Sequence, residues 1–238
     1  MLRTLTIAFT LLVAVTTTAT TVSAQEEWVE LFDGKTLDNW DGDPTLWSIE
    51  EGTITGRTTA ETNMKANNFL IYRGGEFDNF ELQFDYKIID GNSGVQYRSF
   101  ELPEGKWRLG GYQADFEAKD KYSGILYGEK FRGILALRGE STELTTKNGK
   151  MVKTQIEQFG DTVEIQTKIK KEDWNSYKVV ARGNRFQHFI NDTKTSECLD
   201  NDDQRRETGL LGLQIHVGPP MTVQFRNIRI RTLPATKG

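Results

Sequence analysis

The clearest pattern in the sequence is FELQFDYKII, Phe80–Ile89, in which apolar and polar residues alternate. Successive side chains of a β-strand point to opposite faces of the sheet, so Phe80, Leu82, Phe84 and Tyr86 share one face. The acidic, basic and amide side chains between them take the other face. This stretch therefore predicts a strand with one face buried against another layer of the protein.

Shorter runs of the same kind lie on both sides of this strand, separated by Gly, Asn and Asp. Asp90-Gly91-Asn92 and Arg182-Gly183-Asn184-Arg185 indicate tight turns, and the second should close a hairpin. Residues 141–171, rich in Lys, Glu, Gln and Thr, fit either a short helix or a mobile loop. We predict an all-β fold with more strands than one flat sheet needs, at residues 28–32, 47–49, 53–55, 69–72, 80–89, 94–99, 112–117, 125–127, 134–138, 177–181, 185–190, 210–216 and 223–231.

Residues 1–24 predict a secretory signal peptide. Arg3 precedes the apolar stretch 5–15, and Val22-Ser23-Ala24 supplies the small residues of a cleavage site. The apolar stretch is shorter than the roughly 20 residues that span a membrane, and no later segment approaches that length without a charge. Cleavage after Ala24 would leave one domain, residues 25–238, secreted or periplasmic and not attached to a membrane.

The net charge, the cysteine count and the absence of several known motifs make some classes of function unexpected. The formal net charge is −4 and no basic stripe is present, so nucleic acid is not an expected partner. The lone Cys198 cannot form an internal disulfide, so stability has to come from a core. No HExxH, CxxC, EF-hand or Gly-x-Ser-x-Gly motif occurs, and we expect neither a cofactor nor a metal. The acidic cluster Asp200, Asp202 and Asp203 could hold calcium, but a solvated loop is the favoured interpretation.

Polar residues with i, i+2 spacing place a set of functional groups on one face of three predicted strands. A solvated face is the ordinary explanation for any one strand. The choice of amides, an arginine, carboxylates and an imidazole instead favours a sugar-binding site. The three sets are Gln96 with Arg98, Gln113 with Asp115 and Glu117, and Gln214 with His216.

The histidines and tryptophans have structural alternatives. His188 lies between Phe186 and Ile190 on one strand face, so a packed core histidine is as reasonable as a functional one. His216 ends a strand beside a Gly-Pro-Pro loop, which favours a role in a site. Trp174 could stack on a sugar ring, although most tryptophans of a β-sandwich pack in its core.

Several separate motifs in order resemble the 3-keto-disaccharide hydrolase family. They are LFDGKTL with Asn39-Trp40, NSGVQYR at 92–98, GYQAD at 111–115, Trp174-Asn175, LQIH at 213–216 and FRNI at 225–228. The resemblance spans residues 28–231 and implies a concanavalin A-like jelly roll of two antiparallel sheets. Many members have Glu where Gln113 stands and Gln where Asp115 stands, so the carboxylate here occupies the next position on the same face.

The resemblance implies an exported hydrolase that cleaves 3-keto-glucosides or 3-keto-disaccharides. A ketone at C3 acidifies the hydrogen at C2, so a base can remove it, the aglycone can leave from C1, and water can then add. The resemblance implies Asp115 or His216 as the base, and Arg98, Gln96 and Gln214 as donors to the C3 oxygen. It implies His188 or Glu129 as the acid for the aglycone, and Gln113 with Trp174 as further substrate contacts.

Two other function classes stay open from the sequence. A lectin-like carbohydrate-binding module would use the same amides and aromatic rings without a titrating pair. A conventional glycosidase would use Asp115 and Glu117 as its two carboxylates, although one strand cannot easily place both groups on opposite sides of a glycosidic bond.

Overall fold

The computed structural model describes residues 27–234, and within them the fold is almost entirely β-structure. The single helix in that range is α1, Thr162–Gln166. The strands are β1 Val29–Glu30, β2 Trp40–Asp41, β3 Trp47–Glu50, β4 Thr53–Thr58, β5 Asn68–Tyr72, β6 Phe80–Ile89, β7 Asn92–Glu101, β8 Leu109–Glu117, β9 Leu126–Glu129, β10 Gly133–Ala136, β11 Glu140–Lys147, β12 Lys150–Gln158, β13 Asn175–Arg182, β14 Arg185–Ile190, β15 Thr193–Asn201, β16 Leu210–Ile215 and β17 Met221–Thr232.

The strands form two sheets. The ten-stranded sheet has the order β12-β11-β15-β14-β13-β6-β17-β4-β3, with β1 also paired to β17. The seven-stranded sheet has the order β10-β9-β8-β7-β16-β5-β2. Pairing within residues 27–234 is antiparallel except between β11 and β15. The predicted all-β sandwich of two sheets is confirmed.

The core lies between the inner faces of the two sheets, and β6 is central to it. Phe84 of β6 stacks on Tyr177 of β13, with ring centroids 5.2 Å apart. Tyr86 stacks on Phe116 of β8 in the opposite sheet at 3.9 Å, so the two layers interlock through aromatic rings. The strand predicted over 80–89 has those bounds in the structure. Several apolar side chains of β6, β16 and β17 in this core are at most 2% exposed, among them Leu82, Phe84, Leu211, Leu213, Ile215 and Phe225.

Residues 141–171, which the sequence pattern left unassigned, contain most of a β-hairpin and a short helix. β11 and β12 pair antiparallel, and β12 is the last strand of its sheet. Most of its side chains are exposed on both faces, so β12 lacks the alternation that identifies a half-buried strand. Asp161 caps α1 by accepting hydrogen bonds from the backbone N–H groups of Val163 and Glu164.

The predicted signal peptide, residues 1–24, lies outside the described residues. Within residues 27–234, no helix has the length and apolar character needed to cross a membrane.

Candidate functional site

The outer face of the seven-stranded sheet carries most of the polar residues identified from the sequence, and part of this face is covered. The connection between β7 and β8 folds over this face, where its Trp107 packs against a cluster formed by Phe69 and Ile71 of β5 and Leu109 of β8. The indole N–H of Trp107 donates to Asp41 at 2.8 Å and anchors the connection. The remaining part of the face stays open to solvent.

That open part is a cleft of about 310 Å³, a size within the usual range for small-molecule sites. β8 contributes Gln113 and Asp115, and its neighbour β9 contributes Tyr127 and Glu129. Gln113 pairs with Tyr127 in the strand register, and residues two apart share a face, so these groups converge. His216 closes the cleft where β16 ends. The other lining residues are Asn92, Glu117, Tyr122, Ile125 and Ile134.

Asp115 is the most strongly perturbed acid in the cleft. Its side chain is 6% exposed, and burial raises the pKa of the Asp115 carboxyl well above its usual range, with a further upward contribution from the Glu117 charge. The Asn92 amide donates to Oδ1 at 2.7 Å and the Gln113 amide donates to Oδ2 at 3.0 Å. These donors oppose the shift and fix the direction in which the carboxyl points.

A buried network of amides holds Gln113 in place beneath the cleft. The Gln96 amide nitrogen donates to Gln113 Oε1 at 2.8 Å, and Gln113 Nε2 lies 3.2 Å from Gln214 Oε1. Ser99 donates to Gln96 Oε1 at 2.6 Å. Gln96 and Gln214 have no exposed surface, so their amides position Gln113 and do not face a ligand directly. The three glutamines therefore meet as expected, with only Gln113 lining the cleft.

Gly94 makes room for this network. A Cβ atom at position 94 would lie 2.6 Å from Gln113 Nε2 and 2.7 Å from its Cγ, closer than real Cβ contacts. Gly94 pairs with Asp115 in the register of β7 and β8. The missing side chain thus lets Gln113 lie across β7 while it donates to Asp115.

His216 presents one ring nitrogen to the cleft. Its Nδ1 lies 2.6 Å from the backbone oxygen of Val217, and a carbonyl can only accept, so Nδ1 carries the hydrogen. In the neutral ring Nε2 is then unprotonated and can accept or, once protonated, donate a proton. His216 directly follows β16, as expected from the alternation that ends there.

Glu129 and Tyr127 complete the far side of the cleft. The Asn67 amide donates to Glu129 Oε1 at 3.1 Å, and Glu129 is 6% exposed. Burial raises the pKa of the Tyr127 phenol, and the Glu129 and Asp115 charges add to this rise. Tyr127 therefore keeps its hydrogen at neutral pH and can donate it to an oxygen in the cleft.

Glu117 lines the cleft, but its carboxylate is hydrogen-bonded to the loop that follows it in the chain. Its Oε1 accepts from the backbone N–H groups of Lys121 and Tyr122 at 2.7 and 2.8 Å. These bonds hold the connection between β8 and β9 against the cleft. Glu129, on the neighbouring strand β9, has fewer protein partners, since its carboxylate accepts from the Asn67 amide.

The expectation that Arg98 lines the same face as Gln96 is wrong. β7 has a register shift between Tyr97 and Phe100, and Arg98 adopts a positive φ of 44° there. This bulge interrupts the alternation and turns the side chain away from the cleft. Its guanidinium instead donates to backbone oxygens of Asp78 and Gly183, each at 2.8 Å, and lies over the Phe186 ring.

His188 lies in the core between the sheets, so the structure does not bring it to the cleft. Its Nε2 is 3.0 Å from the Tyr97 hydroxyl and its Nδ1 is 3.1 Å from the Tyr177 hydroxyl. Burial lowers the pKa of His188 to about 3. Phe186 and Ile190 flank it on the inner face, which is the core alternative raised by the sequence.

Trp174 belongs to the outer face of the other sheet. The Arg226 guanidinium lies 3.9 Å from its ring centroid and Lys87 Nζ lies 5.4 Å away. Stacking of Trp174 on a ligand in the cleft is therefore excluded in this structure, because β13 and β17 belong to the ten-stranded sheet.

The acidic cluster near residue 200 forms ion pairs. Arg132 bridges Asp200 and Asp202, and Asp200 also accepts from the Tyr112 hydroxyl. These groups are almost completely buried. No group of three or more His, Cys, Asp or Glu side chains in residues 27–234 is arranged to hold a metal ion.

Asn92, Tyr122 and Tyr127 line the cleft but were not among the sequence candidates. Tyr127 and Glu129 share the i, i+2 spacing used for the other strands, so this signal could have found Tyr127. Asn92 could be recognised only through the pairing of β7 with β8, which brings it to Asp115 from 23 positions away in the chain.

Comparisons with known proteins agree with this fold. Residues 27–231 match the family described as a 3-keto-alpha-glucoside-1,2-lyase-like domain. A structure described as a "putative glycosyl hydrolase" from Parabacteroides distasonis is 19% identical, with 87% of this chain and 100% of that chain covered and a TM-score of 0.56. A Bacillus subtilis protein of unknown function with a galectin-like fold is 10% identical, with 87% and 94% covered and a TM-score of 0.56. None of the curated proteins compared with the chain matches it. The solved structures share the fold, which is the two-sheet jelly roll expected from the sequence.

Proposed function

Because the chain belongs to the 3-keto-alpha-glucoside-1,2-lyase-like domain family, we propose that it cleaves the glycosidic bond of oxidised glucosides that carry a ketone at C3. Family membership makes it a carbohydrate-active or carbohydrate-binding protein. The observation that supports cleavage over binding is a buried acid, Asp115, whose raised pKa suits proton transfer and which shares a cleft with an imidazole.

The chemistry begins with proton removal from C2, which the C3 ketone acidifies. The C–H electrons form an enolate across C2 and C3, and its collapse to a C1=C2 double bond expels the aglycone oxygen from C1. That oxygen takes a proton as it leaves. Addition of water across the double bond then gives the free 3-keto sugar. The site needs a base, an acid and a donor to the C3 oxygen.

Asp115 is our candidate for the base. A carboxylate with a raised pKa has a higher proton affinity than an exposed one, and bases whose pKa lies nearer the working pH are more effective. The amides of Asn92 and Gln113 hold both of its oxygens, so the carboxyl is already oriented. This second feature reduces the cost of positioning it during the reaction.

His216 is our candidate for the acid, with Glu129 as the alternative. The cleft adjoins a second compartment, and His216, Tyr127 and Glu129 border both. A sugar held beside Asp115 would place its glycosidic oxygen at this junction and its aglycone in the second compartment. The His216 ring is held through Nδ1, and in its doubly protonated form it would offer the Nε2 proton to that oxygen.

Tyr127 is our candidate for the donor to the C3 oxygen, in place of the three residues proposed from the sequence. Arg98 is turned away, and Gln96 and Gln214 are covered by their neighbours. The Tyr127 hydroxyl faces the cleft beside Asp115, and the raised pKa keeps it protonated. A hydrogen bond to the forming enolate would lower the barrier to proton removal.

The test compares a 3-keto-glucoside with its unoxidised parent by aglycone release. We expect release only from the ketone, because the C2 hydrogen of the parent is too weakly acidic to remove. Asp115→Asn and His216→Ala should each lower turnover by about 10²-fold or more. Asp192→Asn, at an exposed turn with a positive φ that Asn tolerates, is the matched control and should keep full activity.

Two outcomes would replace this proposal. Comparable rates on both compounds would favour a conventional glycosidase that pairs Asp115 with a second carboxylate of the cleft, Glu117 or Glu129. Saturable sugar binding without release from any 3-keto-glucoside would favour a carbohydrate-binding module. We also propose that the protein acts outside the cytoplasm after cleavage behind Ala24, and N-terminal sequencing of protein from its native host would check this.

A further inference from the structure

The compartment next to the cleft differs from it in charge. It has a volume of about 390 Å³ and its lining includes Lys65, Arg108 and Lys130. The cleft itself contains the carboxyls of Asp115, Glu117 and Glu129 but neither lysine nor arginine. The whole chain carries a net charge of −4. The local excess of positive charge around this cavity is therefore not expected from the overall charge of the protein.

These cations have few partners in the protein. Arg108 donates to the backbone oxygen of Glu104 at 3.3 Å. Within the part of the chain that the structure describes, neither Lys65 nor Lys130 forms an ion pair or hydrogen bond. Both lysines are exposed and Arg108 is half-buried. Like charges facing one cavity repel one another, and a bound anion would offset that repulsion.

Glu129, the one carboxylate of this compartment, does not cancel the three positive charges. It is buried at the border with the cleft and bonded to Asn67. Its charge therefore lies on the sugar side, while the cations line the remainder of the compartment.

We propose that this compartment binds an anionic group, a carboxylate, sulfate or phosphate, carried by the leaving group of the substrate. This inference rests on the proposed function, because it assigns the sugar to the cleft and the aglycone to the compartment beyond His216. The planar guanidinium of Arg108 can donate two parallel hydrogen bonds to such a group, and the lysines supply charge. The substrate class would then be 3-keto-glucosides with an acidic aglycone.

The experiment measures equilibrium binding of 4-carboxyphenyl α-glucoside and of its neutral isostere, 4-carbamoylphenyl α-glucoside, to the full chain. The anomer follows the family's name. We expect the anionic ligand to bind about tenfold more tightly at low salt, because it would contact two exposed lysines and one half-buried arginine. The preference should shrink as salt is raised, because exposed charges are screened. Lys65→Ala/Lys130→Ala should remove most of it, whereas Lys147→Ala/Lys150→Ala, at the β11–β12 hairpin, should retain it.

Equal affinity for the two ligands, a preference unchanged in the Lys65→Ala/Lys130→Ala variant, or no saturable binding of either ligand would overturn the inference. Aglycone release from the 3-keto form of the carbamoyl compound tests the proposed function separately. Release without an anion preference would refute the anion compartment alone. An anion preference without release would refute cleavage and leave the compartment as an anion-binding site.

Discussion

Replacement of Gln113 by Glu tests directly whether Asp115 is the base. Gln113 Nε2 lies 3.0 Å from Asp115 Oδ2 and both side chains are buried. In Gln113→Glu, the Gln96 amide can still donate to residue 113, but the donor to Asp115 becomes a second carboxylate. Two carboxyls in such contact cannot both ionise without a large penalty.

The size of the effect follows from the distance. Two unit charges about 4 Å apart interact by about 4 kcal/mol at an effective dielectric constant of 20, which corresponds to roughly three pH units. Relaxation and water entry reduce this, so we expect the acidic limb of the profile of kcat/KM against pH to move up by about one to three units. Turnover well above that limb should recover much of the wild-type value.

The assay is the pH dependence of kcat/KM with a 3-keto-glucoside. Gln83→Glu makes the same chemical change on the other sheet, where Gln83 accepts from Arg229, and should leave the limb in place. An acidic limb that stays in position in Gln113→Glu, with activity retained, would show that the group titrating in catalysis does not contact residue 113. Asp115 could then not be the base.

Three further predictions concern the scaffold. Gly94→Ala places a Cβ 2.6 Å from Gln113 Nε2, so it should lower the free energy of unfolding by about 1–3 kcal/mol and reduce activity. Urea denaturation measures the loss of stability. The control is Gly218→Ala, because a Cβ there meets nothing within 4 Å. Arg132→Ala leaves the buried Asp200 and Asp202 carboxylates without their cation and should cost about 3–5 kcal/mol by thermal denaturation. A loss below 1 kcal/mol would contradict this. Burial lowers the pKa of His188 from 6.5 to about 3, so its contribution to stability is present above pH 6.5 and is lost as the pH falls towards 3. Between pH 6.5 and 4 the wild type should lose about 3 kcal/mol that His188→Phe does not lose, as measured by urea midpoints.

The sequence predicted the fold well because alternation reports the burial of a strand directly. β6 alternates over its whole length and pairs with a long strand on each side, so its bounds could be identified. β12 could not be recognised, because an edge strand with most side chains exposed has no pattern to display. β15 was also missed, because Asp200 near its end and Asp202 just beyond it resemble a solvated loop. Their charges are neutralised by Arg132 from a different part of the chain.

The candidate site shows the limit of the same rule. Spacing of i, i+2 placed Gln113 with Asp115 correctly, because β8 is regular there. Applied to Gln96 and Arg98 the rule failed, since one residue with a positive φ shifts the register of β7. Spacing also cannot distinguish the inner face of a sheet from the outer one. His188 needed its neighbours for that, and Phe186 and Ile190 on the same face indicated the core.

The same strand geometry explains why the carboxyl group of β8 can occupy either of two positions. The resemblance noted from the sequence implies the reverse arrangement in many family members, with Glu at the position of Gln113 and Gln at the position of Asp115. Two positions along a strand return to the same face, so either arrangement leaves one carboxyl and one amide facing the cleft. In this chain the amide donates to the carboxyl at 3.0 Å, and the network of Gln96 and Gln214 holds the amide in place. The pair therefore acts as one hydrogen-bonded unit, in which strand geometry tolerates a carboxyl at either position and the buried amides determine how it is oriented.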